Sequence, residues 1–202
     1  KFKGNTIGTE PVTIQVQKGS TPKKSNTPYD IVSKKVHLNV TTNKSFAYVG
    51  EPIVLTYTLY FNLNIGSLSP NSMKYTNFWT NELEVNNETN SKKYKGVNYN
   101  AAVIKQVVLT PQVSGLQNIE PLSINLVASV PTGRRDFFNM ITSQSVDYTV
   151  VSNDLAINIV ELPLEGRPQN FSGAIGDFDL SVDLDSDSID INESVTFSVK
   201  IK

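Results

Sequence analysis

The sequence predicts an all-β protein made of antiparallel sandwich domains, and three observations carry that expectation. Apolar and polar residues alternate at a period of two along most of the chain, the mark of a strand buried on one face. No segment keeps the i, i+3, i+4, i+7 stripe of an amphipathic helix. Asn, Ser and Thr, which favour turns over helix interiors, are abundant. A length of 202 residues gives room for one full domain and part of another, with chain enough to bury a core.

Taken in order, the alternating segments are 12–16, 36–40, 53–60, 119–127, 146–150 and 155–159, each bounded by Gly, Pro, Asn or Ser. In 53–60, Ile53, Leu55, Tyr57 and Leu59 share one face and Thr occupies much of the other. Composition narrows the function classes further. Charged residues are 18% of the chain and the net charge is -1, so there is no basic field of the kind that binds nucleic acid. The chain has no Cys and one His, which excludes disulfides, thiolate metal sites and cysteine nucleophiles from it and argues against imidazole-rich sites. No cofactor is expected, and no stretch approaches the roughly 18 apolar residues of a membrane helix.

The sequence also repeats itself. Residues 36–60 lie on residues 178–202 at a constant offset of 142, with Leu38 on Leu180, Val40 on Val182, Glu51 on Glu193 and Leu55 on Phe197. A second match sets 11–16 on 154–159 at an offset of 143. A repeated domain of about 140 residues with its linker follows. In that frame 1–17 closes an upstream β-domain, 18–30 is a linker, 31–160 is a complete sandwich, 161–176 is a Pro- and Gly-rich connector, and 177–202 opens a further domain. The connector carries Leu162, Leu164, Phe171 and Ile175, too apolar for a loose tether. Pro163 and Pro168 restrict it, Gly173 and Gly176 allow turns, and Phe171 is expected to bury at the domain junction.

Two surfaces are candidates for binding. In 133–138, Arg134 and Arg135 stand beside Phe137 and Phe138, the residue types enriched where proteins meet partners, although phenylalanines plugging the end of the sandwich are the favoured reading. Trp79 is expected in the core between the sheets and His37 on the solvent face of its strand, with no catalytic role. Asp183, Asp185 and Asp187 have the spacing of a calcium loop but lack its Gly and its closing Glu, so a polar strand edge explains them better. Tyr94 and Tyr99 are the one hint of an aromatic row for stacking on sugar rings.

Residues 48–60, Phe78 and Trp79, 109–121, 136–138 and the run from Leu162 through Pro168 to 171–178 together resemble the Bacteroides-type aerotolerance proteins called BatD, and 171–178 (FSGAIGDF) is the most specific part. The resemblance implies tandem immunoglobulin-like domains on the periplasmic side of the cytoplasmic membrane, anchored by a helix outside this chain. It implies a non-enzymatic module of an envelope complex linked to oxygen or stress tolerance, acting with von Willebrand A-domain proteins and a MoxR-type ATPase. Since A-domains complete a divalent ion with a carboxylate of their ligand, Glu82, Glu84 and Glu88 become candidates to supply it. A carbohydrate-binding or adhesin-like sandwich is the alternative.

Overall fold

The computed structural model describes residues 27–86 and 88–202, so the upstream strand and most of the linker expected before residue 27 lie outside the described residues. The first element corrects the expectation of a helix-free chain. Helix α1 (Pro28–Lys35) starts inside the stretch assigned to a linker, capped by Thr27, whose hydroxyl accepts the N–H of Asp30 while the Asp30 carboxylate accepts the N–H of Thr27. Pro at the first helical position and Asp30 in the first turn complete a start signal that was visible in the sequence. Only eight residues follow it, too few for a periodic stripe, and the helix is held by burying Val32 in the core.

Every further regular element among the described residues is a strand. In order come β1 (Val36–Thr42), β2 (Phe46–Tyr48), β3 (Ile53–Phe61), β4 (Asn64–Pro70), β5 (Phe78–Leu83), β6 (Thr89–Tyr94) and β7 (Val97–Pro111). They are followed by β8 (Gly115–Ile119), β9 (Ser123–Arg135), β10 (Ile141–Val151), β11 (Leu155–Val160), β12 (Leu180–Leu184) and β13 (Phe197–Ile201). One sheet runs β1-β3-β7-β5, with β6 also paired to β7; a second runs β10-β9-β4; in a third, β11 lies parallel to β2 and antiparallel to β8. The β6–β7 hairpin turns on Lys95 and Gly96, both at positive φ (47° and 84°), the two-residue turn whose twist suits antiparallel strands.

The alternation places the core as the sequence predicts: an antiparallel β-sandwich. Ile53, Leu55, Tyr57 and Leu59 of β3 face inward together with Leu38 and Val40 of β1, Val107 and Leu109 of β7, Ile124 and Leu126 of β9, and Ile157 and Ile159 of β11. Each such side chain contributes roughly 1.5–3 kcal/mol by leaving water. The polar end of Tyr57 is not abandoned there, because its hydroxyl accepts from Tyr75 (3.3 Å) and faces the Met73 sulfur (3.6 Å). Burial, first of all, holds its phenol far above the ordinary range.

The β12–β13 hairpin repeats the β1–β3 pair in detail. Leu38 faces Leu59 and Val40 faces Tyr57 in the first; Leu180 faces Ile201 and Val182 faces Val199 in the second, so every number is larger by 142 (180 against 38, 201 against 59). The connections between the strands repeat as well. Asn43 Oδ1 accepts the N–H of Val54 at 2.8 Å, and Asp185 Oδ1 accepts the N–H of Thr196 at 2.9 Å. Glu51 Oε2 accepts the N–H of Tyr48 at 2.9 Å, and Glu193 Oε2 accepts the N–H of Asp190 at 3.2 Å. Gly50 and Asn192, again 142 apart, both take positive φ, 87° and 76°.

Candidate functional site

The sequence-derived surface at Arg134, Arg135, Phe137 and Phe138 lies at the turn joining β9 to β10. Asp136 accepts from the N–H of Asn139 through its backbone carbonyl (3.0 Å) and donates its own N–H to Met140 (2.9 Å). Its side-chain Oδ1 accepts the N–H groups of Phe138 and Met140, each at 2.9 Å, and Asn139 sits at φ 63°. Asp at the first position and Asn in the left-handed region are what such a turn requires. The Arg135 guanidinium donates to the Asn139 carbonyl at 2.7 Å, closing the loop from the side. Phe137 and Phe138 therefore occupy the two central turn positions, where their rings meet edge to face at 5.6 Å and remain 97% and 79% exposed. The reading in which they plug the sandwich is overturned. The loop's hydrogen bonds are made by backbone and Asp136, which leaves both rings pointing outward.

Trp79 is likewise corrected. On β5 the alternation turns Phe78 into the core and sends Trp79 out, 74% exposed. His37 does not stand free in solvent as expected. Tyr60, Tyr94 and Tyr99, brought together from β3, β6 and β7, surround it on the outer face of the large sheet, with ring centroids 5.6 Å away for Tyr94 and 5.4 Å for Tyr99. Its Nε2 lies 3.1 Å from the Tyr99 hydroxyl, which also lies 3.3 Å from the Lys34 carbonyl, so one hydroxyl links the ring to the end of α1. Burial lowers the His37 pKa below its ordinary value. Tyr60 and Tyr94 stack at 4.4 Å and the buried Tyr99 meets both edge to face, so these rings cover one another and do not form a flat row open to a sugar.

Glu82, Glu84 and Glu88 fall in two places. Glu82 is on β5 and forms an ion pair with Lys105 of β7, while Glu84 and Glu88 border a shallow groove of about 280 Å³ with Asn90 and Gln106. Among the described residues no group of three or more His, Asp or Glu side chains is gathered as metal ligands would be. Asp185 is spent on capping Thr196, whose N–H is the first cause of its lowered pKa. A concavity of about 660 Å³ lies where the β3–β4 turn meets β9 and β10, and Asn62, Asn64, Asn100, Ser129 and Lys35 are among its walls.

In the connector, Phe171 is half-buried under the Arg167 guanidinium, 4.6 Å from its ring, and donates its N–H to the Pro168 carbonyl. Pro163 and Pro168 stand beside it in the same small cluster, and Gly173 and Gly176 take φ 88° and 145°. Ile175 reaches the sandwich: a Cβ added at Gly50 would lie 3.1 Å from its Cδ1. No local pattern around Gly50, which sits between β2 and β3, points to that contact. No protein-family model matches the chain, and neither the curated proteins nor the solved structures supply a match.

Proposed function

We propose that this chain belongs to a tandem array of immunoglobulin-like modules serving as a non-enzymatic interaction scaffold of the BatD type. In this reading it stands on the periplasmic side of the membrane, is anchored through a segment outside these residues, and works with von Willebrand A-domain proteins and a MoxR-type ATPase. The observation that carries the tandem part is the repetition of strand register, caps and positive-φ turn at one offset of 142. Chance likeness between two hairpins does not extend to the same side-chain oxygens accepting the same backbone N–H groups. The Ile175 contact with Gly50 supports a connector seated on the preceding module, which would hold successive modules in register and reduce the entropy lost when a partner docks. The resemblance supplies the cellular setting and the partners.

The test is a pull-down from membrane extract with the intact periplasmic region as bait. Recovery of A-domain proteins together with the ATPase supports the scaffold. Recovery of oligosaccharides without them would replace it with a sugar-binding module.

A further inference from the structure

We infer that the β9–β10 turn is a wedge for the surface of an anionic phospholipid bilayer. The argument starts from turn chemistry. Asp136 and Asn139 fulfil the conformational requirements of the loop, which leaves positions 137 and 138 open to any soluble residue; Ser, Asp, Asn, Gly and Pro are usual there. Both are Phe instead. Met140 and Ile141, 66% and 58% exposed, extend the same apolar tip. Two aromatic rings at a turn centre lower solubility and add nothing to the fold, since neither is part of the buried core.

Three further features fit lipid. The tip stands clear of the sandwich: Pro131–Arg135 are exposed on both faces of β9, a length of about 17 Å at roughly 3.3 Å per residue. Thr132 and Thr142 join the two strands there, with their hydroxyl oxygens 2.5 Å apart, so the ribbon is held as a unit. The N–H groups of Asp136, Phe138, Asn139 and Met140 are all donated within the loop, so its apolar end can leave water without stranding them. Arg134 and Arg135 sit just behind the rings, at the height where phosphate oxygens would lie once phenyl groups enter the acyl boundary, and with the Asp136 carboxylate counted against them they still leave the tip net positive in a chain whose net charge is -1. The shape is convex, which suits a yielding bilayer surface.

The experiment is flotation of the 202-residue chain with vesicles of 70% phosphatidylcholine and 30% phosphatidylglycerol, against vesicles of phosphatidylcholine alone. The expected result is binding to the anionic vesicles that weakens with salt. Arg134→Gln, which leaves the Arg135 guanidinium on the Asn139 carbonyl, should weaken it about fivefold, at about 1 kcal/mol for a cation near the surface. Phe137→Ser with Phe138→Ser should weaken it about a hundredfold or more. Arg134, Phe137 and Phe138 lie outside the core, so an unchanged melting temperature verifies that folding is intact. The proposal is overturned if the chain stays with the unbound fraction, if both vesicle types bind it equally, or if the Phe pair binds as tightly as the parent. The first of these outcomes would point to a protein groove as the partner of the tip.

Discussion

The β1–β3 pair and the β12–β13 hairpin have the same register, the same caps and the same turn conformation, yet opposite surroundings. Leu38, Leu55 and Leu59 are at most 4% exposed; their counterparts Leu180, Phe197 and Ile201 are 66%, 61% and 67% exposed. The difference is the opposing layer. β9 and β11 cover the first pair, whereas nothing equivalent occurs among residues 177–202. Register is thus a local property, set by the alternation of side chains and by Asn43 or Asp185 holding the strand ends together. Burial is not local: it needs strands far away in sequence.

The largest effect that tests this contrast is a pair of truncations at equivalent sites. Leu55→Ala should cost about 2–5 kcal/mol in urea unfolding, because a fully buried side chain leaves a cavity, while Phe197→Ala should change the same transition by no more than about 0.5 kcal/mol. Equal costs would mean that the hairpin unfolds as part of the sandwich.

The two positive-φ turns differ next. Gly50→Ala should cost about 1–2 kcal/mol, since φ 87° disfavours any Cβ and the new methyl would meet Ile175. Asn192→Gly should be near neutral, as Asn already tolerates that region. Ile175→Ala in the Gly50→Ala background divides the two causes: recovery would assign the cost to the connector contact, and no recovery to the backbone.

The caps separate the pairs by pH. Asn43→Ala and Asp185→Ala each remove a partner from a backbone N–H; the Asn43 change should lower sandwich stability by about 0.5–1.5 kcal/mol. The Asp185 change should appear as faster hydrogen exchange at Thr196. Because the Asp185 pKa is lowered in the folded chain, its contribution is complete above the ordinary carboxylate pKa and is lost as pH falls through the lower folded value. Asn43 has no such dependence. Exchange protection at Val54 and Thr196, followed through the acid range and corrected for the intrinsic rate, tells the two apart; parallel loss at both sites would contradict the assignment.

The smallest effect belongs to His37. Its folded pKa lies below 6.5, so the unfolded chain binds a proton first, and stability is full above pH 6.5 and declines as pH falls toward the folded value. His37→Gln should remove that slope. Melting temperatures at pH 7.5 and 5.5 give the measurement, and an unchanged slope in the variant would assign it to other groups.

The sequence by itself determined the strand alternation, the inward face of β3 and the repeat at offset 142, because a period of two and a residue-by-residue match are encoded locally. It also contained the start of α1 in Thr27, Pro28 and Asp30, though eight residues offer too short a pattern to distinguish a helix from a linker. Only the tertiary structure decided the rest. Phe78 and Trp79 are adjacent and equally apolar, and which of them enters the core depends on how β5 pairs with β7. The fate of Phe137 and Phe138 depended on Asp136 and Asn139 closing the turn and pointing both rings outward. Gly50 met Ile175 across 125 residues of chain (175 against 50), a contact that no local pattern can announce because side-chain packing is fixed only when distant segments are brought together.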